Sequence, residues 1–439
     1  MFGDNLDKKS LNHRVNWVEE NSERILNFEN NDIVNKAENK TCFVSFCFEY
    51  KRFVEYMSNH ESNVFYSYLP IQLDATCNGY QHLSLLTREK NLFDVLNLAS
   101  STHDDDPDDF YTYILNLTIV FMEHEKNTLS AIENKSNAQL KQIQSYIKLL
   151  KVVFDRSMVK KTIMTKSYNA SIPTQVSQLI MNLDEKFEGK TKYYIYKDNQ
   201  DVRFIRDDIV VFVMAIKSVI AKQSPRITEL SKYIDAIVSI CTGLNIPVPW
   251  NLPSGAEIME SYEVGKSKPI KAFFFVNTRY TFKSYQRDLY DLTQQKRATM
   301  PNLIHSLDAT TIAILYSNFK NVGPLYTVHD CFGVTANNVP RLILKLKLVY
   351  IQLYSSTGYL RKFDTFVKTT INETCGDDIY KIGEDFVNIP SNNYKIASYY
   401  GDIPLPSKNY KKVPMPNINS ILDKSIDVDC VKKSANIIV

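Results

Sequence analysis

The sequence predicts a helix-rich α+β protein. Most of its length carries apolar residues at helical spacing, as in the stretch 207–241. Short apolar runs such as "PIQLD" and "LYTVHDCFGV" read instead as brief strands that end in charged or turn residues. The 439 residues are 44% hydrophobic and 12% aromatic, enough core for two or three domains, or for one large body with inserted subdomains.

Bulk properties exclude several classes. There are 52 basic and 49 acidic residues, a net charge of +3, so this is no polybasic protein. Any nucleic-acid contact must come from local clustering of cations. The seven cysteines form no CxxC pair, which indicates neither a zinc site nor a disulfide framework. A reducing compartment is the default. The opening "MFGDNLDKKS" has no apolar core and is not Arg-rich, so it reads as neither a signal nor a transit peptide. The longest apolar stretch, "IVVFVMAI" at 209–216, is too short to span a bilayer, and no membrane partner is expected.

Along the chain, residues 1–40 read as charged helix, with Val15, Val18, Ile25 and Leu26 at roughly helical spacing. "TCFVSFCFEYKRFVEYM" mixes strand-like aromatics with a helical second half. A loop and then a short strand lead to Asp74, and "NGYQHLSLLTREK" reads as helix. In "HDDDPDDFYTYIL" the acidic run suits a helix start, with Asp106 as N-cap, Pro107 first in the helix, and Asp108 and Asp109 as first-turn acids. Residues 125–145 are polar, an exposed insertion or helix hairpin. A long basic helix is expected over 145–168, then the polar patch "DEKFEGKTK" before strand-like "YYIYKDN". One amphipathic helix follows over 207–241, then a Pro-rich turn region, "NIPVPWNLPSGAEI". Paired strands lie within "AFFFVNTRYTFKSYQRDLY", a helix over 302–318, and an irregular tail from about 390.

Four constellations can carry chemistry. Asp74 stands where a strand ends and a helix soon begins, a place for a cap or turn residue and equally for a rigidly held metal ligand. Asp330 ends another short apolar run, near the tip of an expected hairpin, beside His329. Should the two strands lie side by side, their carboxylates can share two Mg²⁺ ions. Without cations the pair would repel strongly. Third, Arg156, Lys160, Met164 and Tyr168 recur every four residues and drift along one helical face. A solvated basic stripe is the plain reading. Two cations one turn apart also suit a triphosphate, with the phenol suited to a sugar or base. Fourth, His305 and Asp308 lie one turn apart on an expected helix, where a buried, hydrogen-bonded histidine is the simpler reading.

Taken together, "FCFEY", "DATCNGYQHLSLL", "RSMVKKTIMTKSY", "PNLIHSLDA" and "VHDCFG" resemble, in order, the motifs of single-subunit DNA-directed RNA polymerases of the bacteriophage and mitochondrial type. Those carried on fungal mitochondrial linear plasmids are the most similar. The resemblance covers roughly residues 5–375. It implies a right-hand polymerase with palm, fingers and a small antiparallel palm sheet. The division would be 1–110 first part of the palm, 111–300 fingers, 301–390 second part of the palm and 391–439 tail. It implies that Asp74 and Asp330 hold two Mg²⁺ ions, with the Ala75 carbonyl an added ligand. Arg156 and Lys160 resemble the cations that grip the incoming triphosphate. Tyr168 resembles the sugar-side tyrosine, and His305 the histidine near the ribose 2′-hydroxyl. Lys8, in "LDKKS", is loosely similar to a further phosphate-contacting lysine.

The implied partners are a DNA template, an RNA product and ribonucleoside triphosphates, inside a mitochondrion. Family members also carry a thumb and an N-terminal domain with promoter elements. The chain begins downstream of these, so a separate N-terminal polypeptide is an expected partner. Asn169 stands where the family usually has Gly, and the ending "KKSANIIV" is only faintly similar to the family's aromatic-rich terminus. An A-family-like DNA polymerase and a truncated, inactive nucleic-acid-binding remnant remain alternatives.

Overall fold

The computed structural model describes residues 6, 9, 11–61, 64–99, 107–197, 199–271, 279–355, 358–390, 410–422, 428–434 and 437–438. It is helix-rich with small antiparallel sheets, as expected. The N-terminal helices are α1 (Leu11–Glu20), α2 (Ser22–Leu26), α3 (Ile33–Lys36) and α4 (Lys40–Asn59). They gather around a small core of their own, built from Ile25, Phe28, Ile33, Phe43 and Cys47. The aromatics of "TCFVSFCFEYKRF" are helical throughout, not partly strand. Phe43, Phe46, Tyr50 and Phe53 recur every three or four residues, and each ring neighbours the next along one side of α4.

Strand β1 (Ile71–Asp74) leads into α5 (Asn78–Thr87), almost wholly buried. Helix α6 (Phe110–Ala131) and α7 (Asn137–Leu149) form the expected hairpin, α7 opening on a Ser136–Gln139 capping box. Asp106 lies outside the described residues. The N-cap of α6 is Asp109, whose carboxylate accepts from the Tyr111 N–H at 3.3 Å, so Pro107 and Asp108 precede the helix instead of opening it. The single basic helix expected over 145–168 is broken. Asp155 caps a new helix, α8 (Arg156–Lys166), and α9 (Ile172–Ile180) follows. The polar patch "DEKFE" is itself a strand. β2 (Asp184–Glu188), β3 (Thr191–Tyr196) and β4 (Asn199–Phe204) make a three-stranded meander.

Pro225 divides the stretch 207–241 into α10 (Arg206–Gln223) and α11 (Pro225–Gly243), because proline is favoured in a first helical turn and disfavoured in an interior. The Pro-rich region is not only turn. It forms a hairpin of β5 (Val248–Asn251) and β6 (Glu257–Glu260). A longer ribbon pairs β7 (Glu263–Lys271) with β8 (Arg279–Tyr290). Only β8 falls in the stretch expected to hold both strands; its partner lies upstream, and residues 272–278 are outside the described residues. Helix α12 (Leu292–Phe319) starts well before Pro301. Asp291 caps it by accepting from the N–H groups of Thr293 and Gln294, and the helix runs through the proline.

β9 (Leu325–Val328) and β10 (Cys331–Val334) form the hairpin, followed by α13 (Val339–Tyr354) and α14 (Gly358–Cys375). The tail is more ordered than expected where it is described. β11 (Phe386–Pro390) pairs with β12 (Tyr410–Pro414), and α15 (Asn419–Leu422) follows. Ile437 and Ile438 are buried, and Ile438 bridges Ala75. One large core runs from Cys77 to Ile438 and joins most of these elements. No helix among the described residues is long and apolar enough to cross a membrane. None of the seven cysteines is in a disulfide.

Candidate active site

The small sheet has the order β1-β10-β9, all antiparallel. It joins a strand near residue 70 to a hairpin near residue 330. Asp74, the last residue of β1, is opposite Cys331, and the next rung is the Ala75 N–H donating to the Asp330 carbonyl at 3.2 Å. The two aspartates therefore meet at one end of the sheet. Both line a single cleft of about 360 Å³, with Ala75, Arg156, Lys160, Met164 and Tyr168 among its walls.

His329 and Asp330 are the two residues that connect β9 to β10. His329 has φ +53, the left-handed conformation that tight hairpin turns require and that histidine tolerates better than most side chains. The charged pair between two apolar runs is thus the tip of the hairpin. Gly333, three residues beyond Asp330, has no room for a Cβ, which would collide with the Tyr326 ring. That ring lies across β10, its hydroxyl meeting the Gln72 side chain on β1.

The electrostatics agree with a pair of crowded carboxylates. The Asp74 carboxyl is pushed up to about 6, first by desolvation and then by the charge of Asp330. The Ala75 N–H and Lys160 pull it back down. Desolvation also raises Asp330, with Asp308 adding to the rise and His329 and His82 opposing it. Two half-desolvated like charges call for a cation. The donors on offer are two carboxylates, and the backbone of Ala75 lines the same cleft. Among the described residues no group of three or more His, Cys, Asp or Glu side chains could hold a metal. Such a sparse set fits Mg²⁺, which keeps several waters and takes the rest of its shell from substrate phosphates. It does not fit a closed cage such as structural zinc demands.

Helix α8 supplies the cations. Asp155 caps it, accepting from the Met158 N–H at 3.3 Å and pairing with Lys197 at 2.5 Å. Arg156, Lys160 and Met164 all face the cleft, so the four-residue recurrence marks one helical face. Tyr168 lies beyond the helix end, in the turn that follows. Its ring stacks on His305 of α12 with centroids 5.0 Å apart and planes 23° apart. Burial, and then the charge of Asp330, push the Tyr168 phenol up to about 12, so it stays protonated and can donate. Asn169 has φ +54, a conformation open to glycine and tolerated by asparagine.

His305 itself is exposed, contrary to the buried histidine that its helix suggested. The buried one is His82, whose Nδ1 lies 2.6 Å from the Tyr354 hydroxyl and whose Nε2 lies 3.7 Å from Asp308. Burial pushes Asp308 up, but His82, Asn78 and His305 hold its carboxyl below the usual range. Lys8 lies outside the described residues. Sequence reading missed three contributors. Asp109 binds Arg156 at 2.8 Å, Tyr111 lies under the same guanidinium, and Gly79 lets Tyr168 approach α5. A Cβ on Gly79 would meet Ser167 Oγ at 2.9 Å and the Tyr168 hydroxyl at 3.2 Å. Only Gly79 left a trace, as the lone glycine in an otherwise helical run.

The DNA-dependent RNA polymerase family matches residues 1–395, and the chain belongs to that family. It is 36% identical over 99% of its length to a probable DNA-directed RNA polymerase of Podospora anserina, covering 44% of that protein. A probable DNA-directed RNA polymerase of Neurospora crassa is 28% identical over 85% of the chain, which covers 41% of it. The mitochondrial DNA-directed RNA polymerase 1B of Nicotiana tabacum is 25% identical over 81% of the chain, which covers 33% of it. The chain thus spans less than half the length of these relatives.

Proposed function

We propose that the chain is the catalytic region of a DNA-directed RNA polymerase, transferring ribonucleotides to a 3′-hydroxyl with release of pyrophosphate. One observation carries the reading: Asp74 and Asp330 meet across neighbouring strands, in a cleft whose wall is the cationic face of α8. In this reading the sheet with its flanking helices is a palm, and the α6–α11 region the fingers. Asp74, Asp330 and the Ala75 carbonyl would hold two Mg²⁺ ions, which when bound activate the attacking hydroxyl and neutralise charge on the departing pyrophosphate.

The chain's own residues do the positioning. Arg156 and Lys160 bind the phosphates and set the α-phosphate before the acceptor, where geometry and charge supply most of the rate. Tyr168, stacked on His305, faces the sugar. A polar group that bonds the 2′-hydroxyl is stranded when a deoxynucleotide binds, which favours ribose and disfavours the DNA polymerase alternative. A DNA partner finds support in the β7–β8 ribbon, where Lys266, Lys268 and Lys283 are exposed. A two-stranded ribbon of this kind fits a duplex groove. Residence in a mitochondrion goes with relatives named as mitochondrial enzymes.

The test is ribonucleotide incorporation on a primed template. Asp74→Asn and Asp330→Asn should each abolish extension while leaving circular dichroism and the unfolding midpoint nearly unchanged. Near-normal extension by both variants refutes the reading.

A further inference from the structure

Asp109 serves two neighbours through two different oxygens. Oδ1 caps α6, and Oδ2 accepts from the Thr112 hydroxyl and from Arg156 Nε at 2.8 Å. The Arg156 guanidinium also lies over the Tyr111 ring, 4.9 Å from its centroid. Both charged side chains are mostly shielded, at 25% and 29% exposure, so the contact is stronger than a surface pair. Among the described residues neither Nη atom of Arg156 has a hydrogen-bond partner. Capping alone does not explain the choice of residue, because Ser, Thr or Asn would serve as well.

We infer that Asp109 is a positioning residue for nucleotide binding. It holds Arg156 by Nε, with Tyr111 supporting the guanidinium plane, and so offers both terminal nitrogens to the triphosphate. The inference rests on the polymerase reading above. A carboxylate that competed with phosphate would take the two-nitrogen fork of the guanidinium, the geometry that carboxylates and phosphates share. Here the carboxylate takes the one nitrogen that leaves both Nη atoms open. An arginine fixed in advance surrenders less rotamer freedom when the ligand arrives.

The test is equilibrium dialysis of radiolabelled GTP with magnesium, using the full chain and a primed template that presents cytosine. Asp109→Ser keeps a good N-cap but is too short to reach Arg156. It should weaken GTP binding by roughly three- to ten-fold, the effect of freeing one rotamer-rich side chain. Its unfolding midpoint should stay close to that of the unmodified chain. Asp109→Asn, which keeps an acceptor without the charge, should recover part of the loss. In an Arg156→Ala background the Asp109→Ser change should have no further effect. Unchanged or tighter GTP binding by Asp109→Ser overturns the inference alone. An unmodified chain that binds no GTP overturns the polymerase reading and the inference with it.

Discussion

Asp74 and Tyr168 show how burial tunes single groups in opposite directions of use. Desolvation and a like-charged neighbour raise the Asp74 carboxyl to about 6, an arrangement that a divalent cation relieves. Desolvation raises the Tyr168 phenol to about 12, which keeps its proton in place for a hydrogen bond. Removing only that hydroxyl should leave the ring stacked on His305 and the fold intact. Tyr168→Phe is therefore expected to lower the preference for ribonucleotides over deoxynucleotides by roughly ten-fold or more, the worth of one buried polar contact. Competing incorporation of GTP and dGTP measures it, and unchanged discrimination would take Tyr168 out of the sugar site. Asn169 and His329 belong to the same scale. Each holds a left-handed backbone next to a side chain of the proposed site, and neither residue type excludes that conformation.

At the scale of elements, α8 depends on its cap. Desolvation pushes the Asp155 carboxyl up, but Lys197, Ser157, Tyr196 and the Met158 N–H outweigh it and hold the group below the usual carboxylate range. A carboxyl depressed in the folded state contributes fully above its unfolded value, about 4, and the contribution drains as pH falls toward the folded one. Asp155→Ala should cost about 1 kcal/mol near neutrality through the lost cap. The gap in unfolding free energy between the variant and the unmodified chain should narrow when urea melts are repeated at pH 3. A gap that widens on acidification contradicts this assignment. The same helix shows what the sequence made legible. The recurrence of Arg156, Lys160 and Met164 needs only helical geometry, and the hairpin tipped by His329 and Asp330 needs only two short apolar runs around a turn. Boundaries were harder. Asp155 and Pro225 are ordinary start signals, yet apolar spacing ran on across both and hid them. The helix expected from residue 302 begins instead at Leu292, where Asp291 caps it upstream of Pro301. The tie between Asp109 and Arg156 was illegible. It links two helix starts that the sequence does not relate, and the acidic run had a sufficient explanation as a helix start.

Across the whole molecule, a three-stranded sheet brings together two strands separated by most of the fold. The helices in between form a body that presents α8 over the cleft. The far end of the chain returns as well. Ile438 bridges Ala75, and the Gln81 side chain donates to the Ile437 carbonyl at 3.2 Å, so the segment beside Asp74 is braced from both sides. This convergence, more than any one residue, is what the proposed chemistry needs. Manganese titration followed by electron paramagnetic resonance examines it most directly, because the ion stands in for magnesium and its free signal vanishes on binding. The unmodified chain should take up the ion, while Asp74→Asn and Asp330→Asn each lose most of that affinity and the double variant is little worse than either alone. Full binding by both single variants would show that the two carboxylates do not share a metal site.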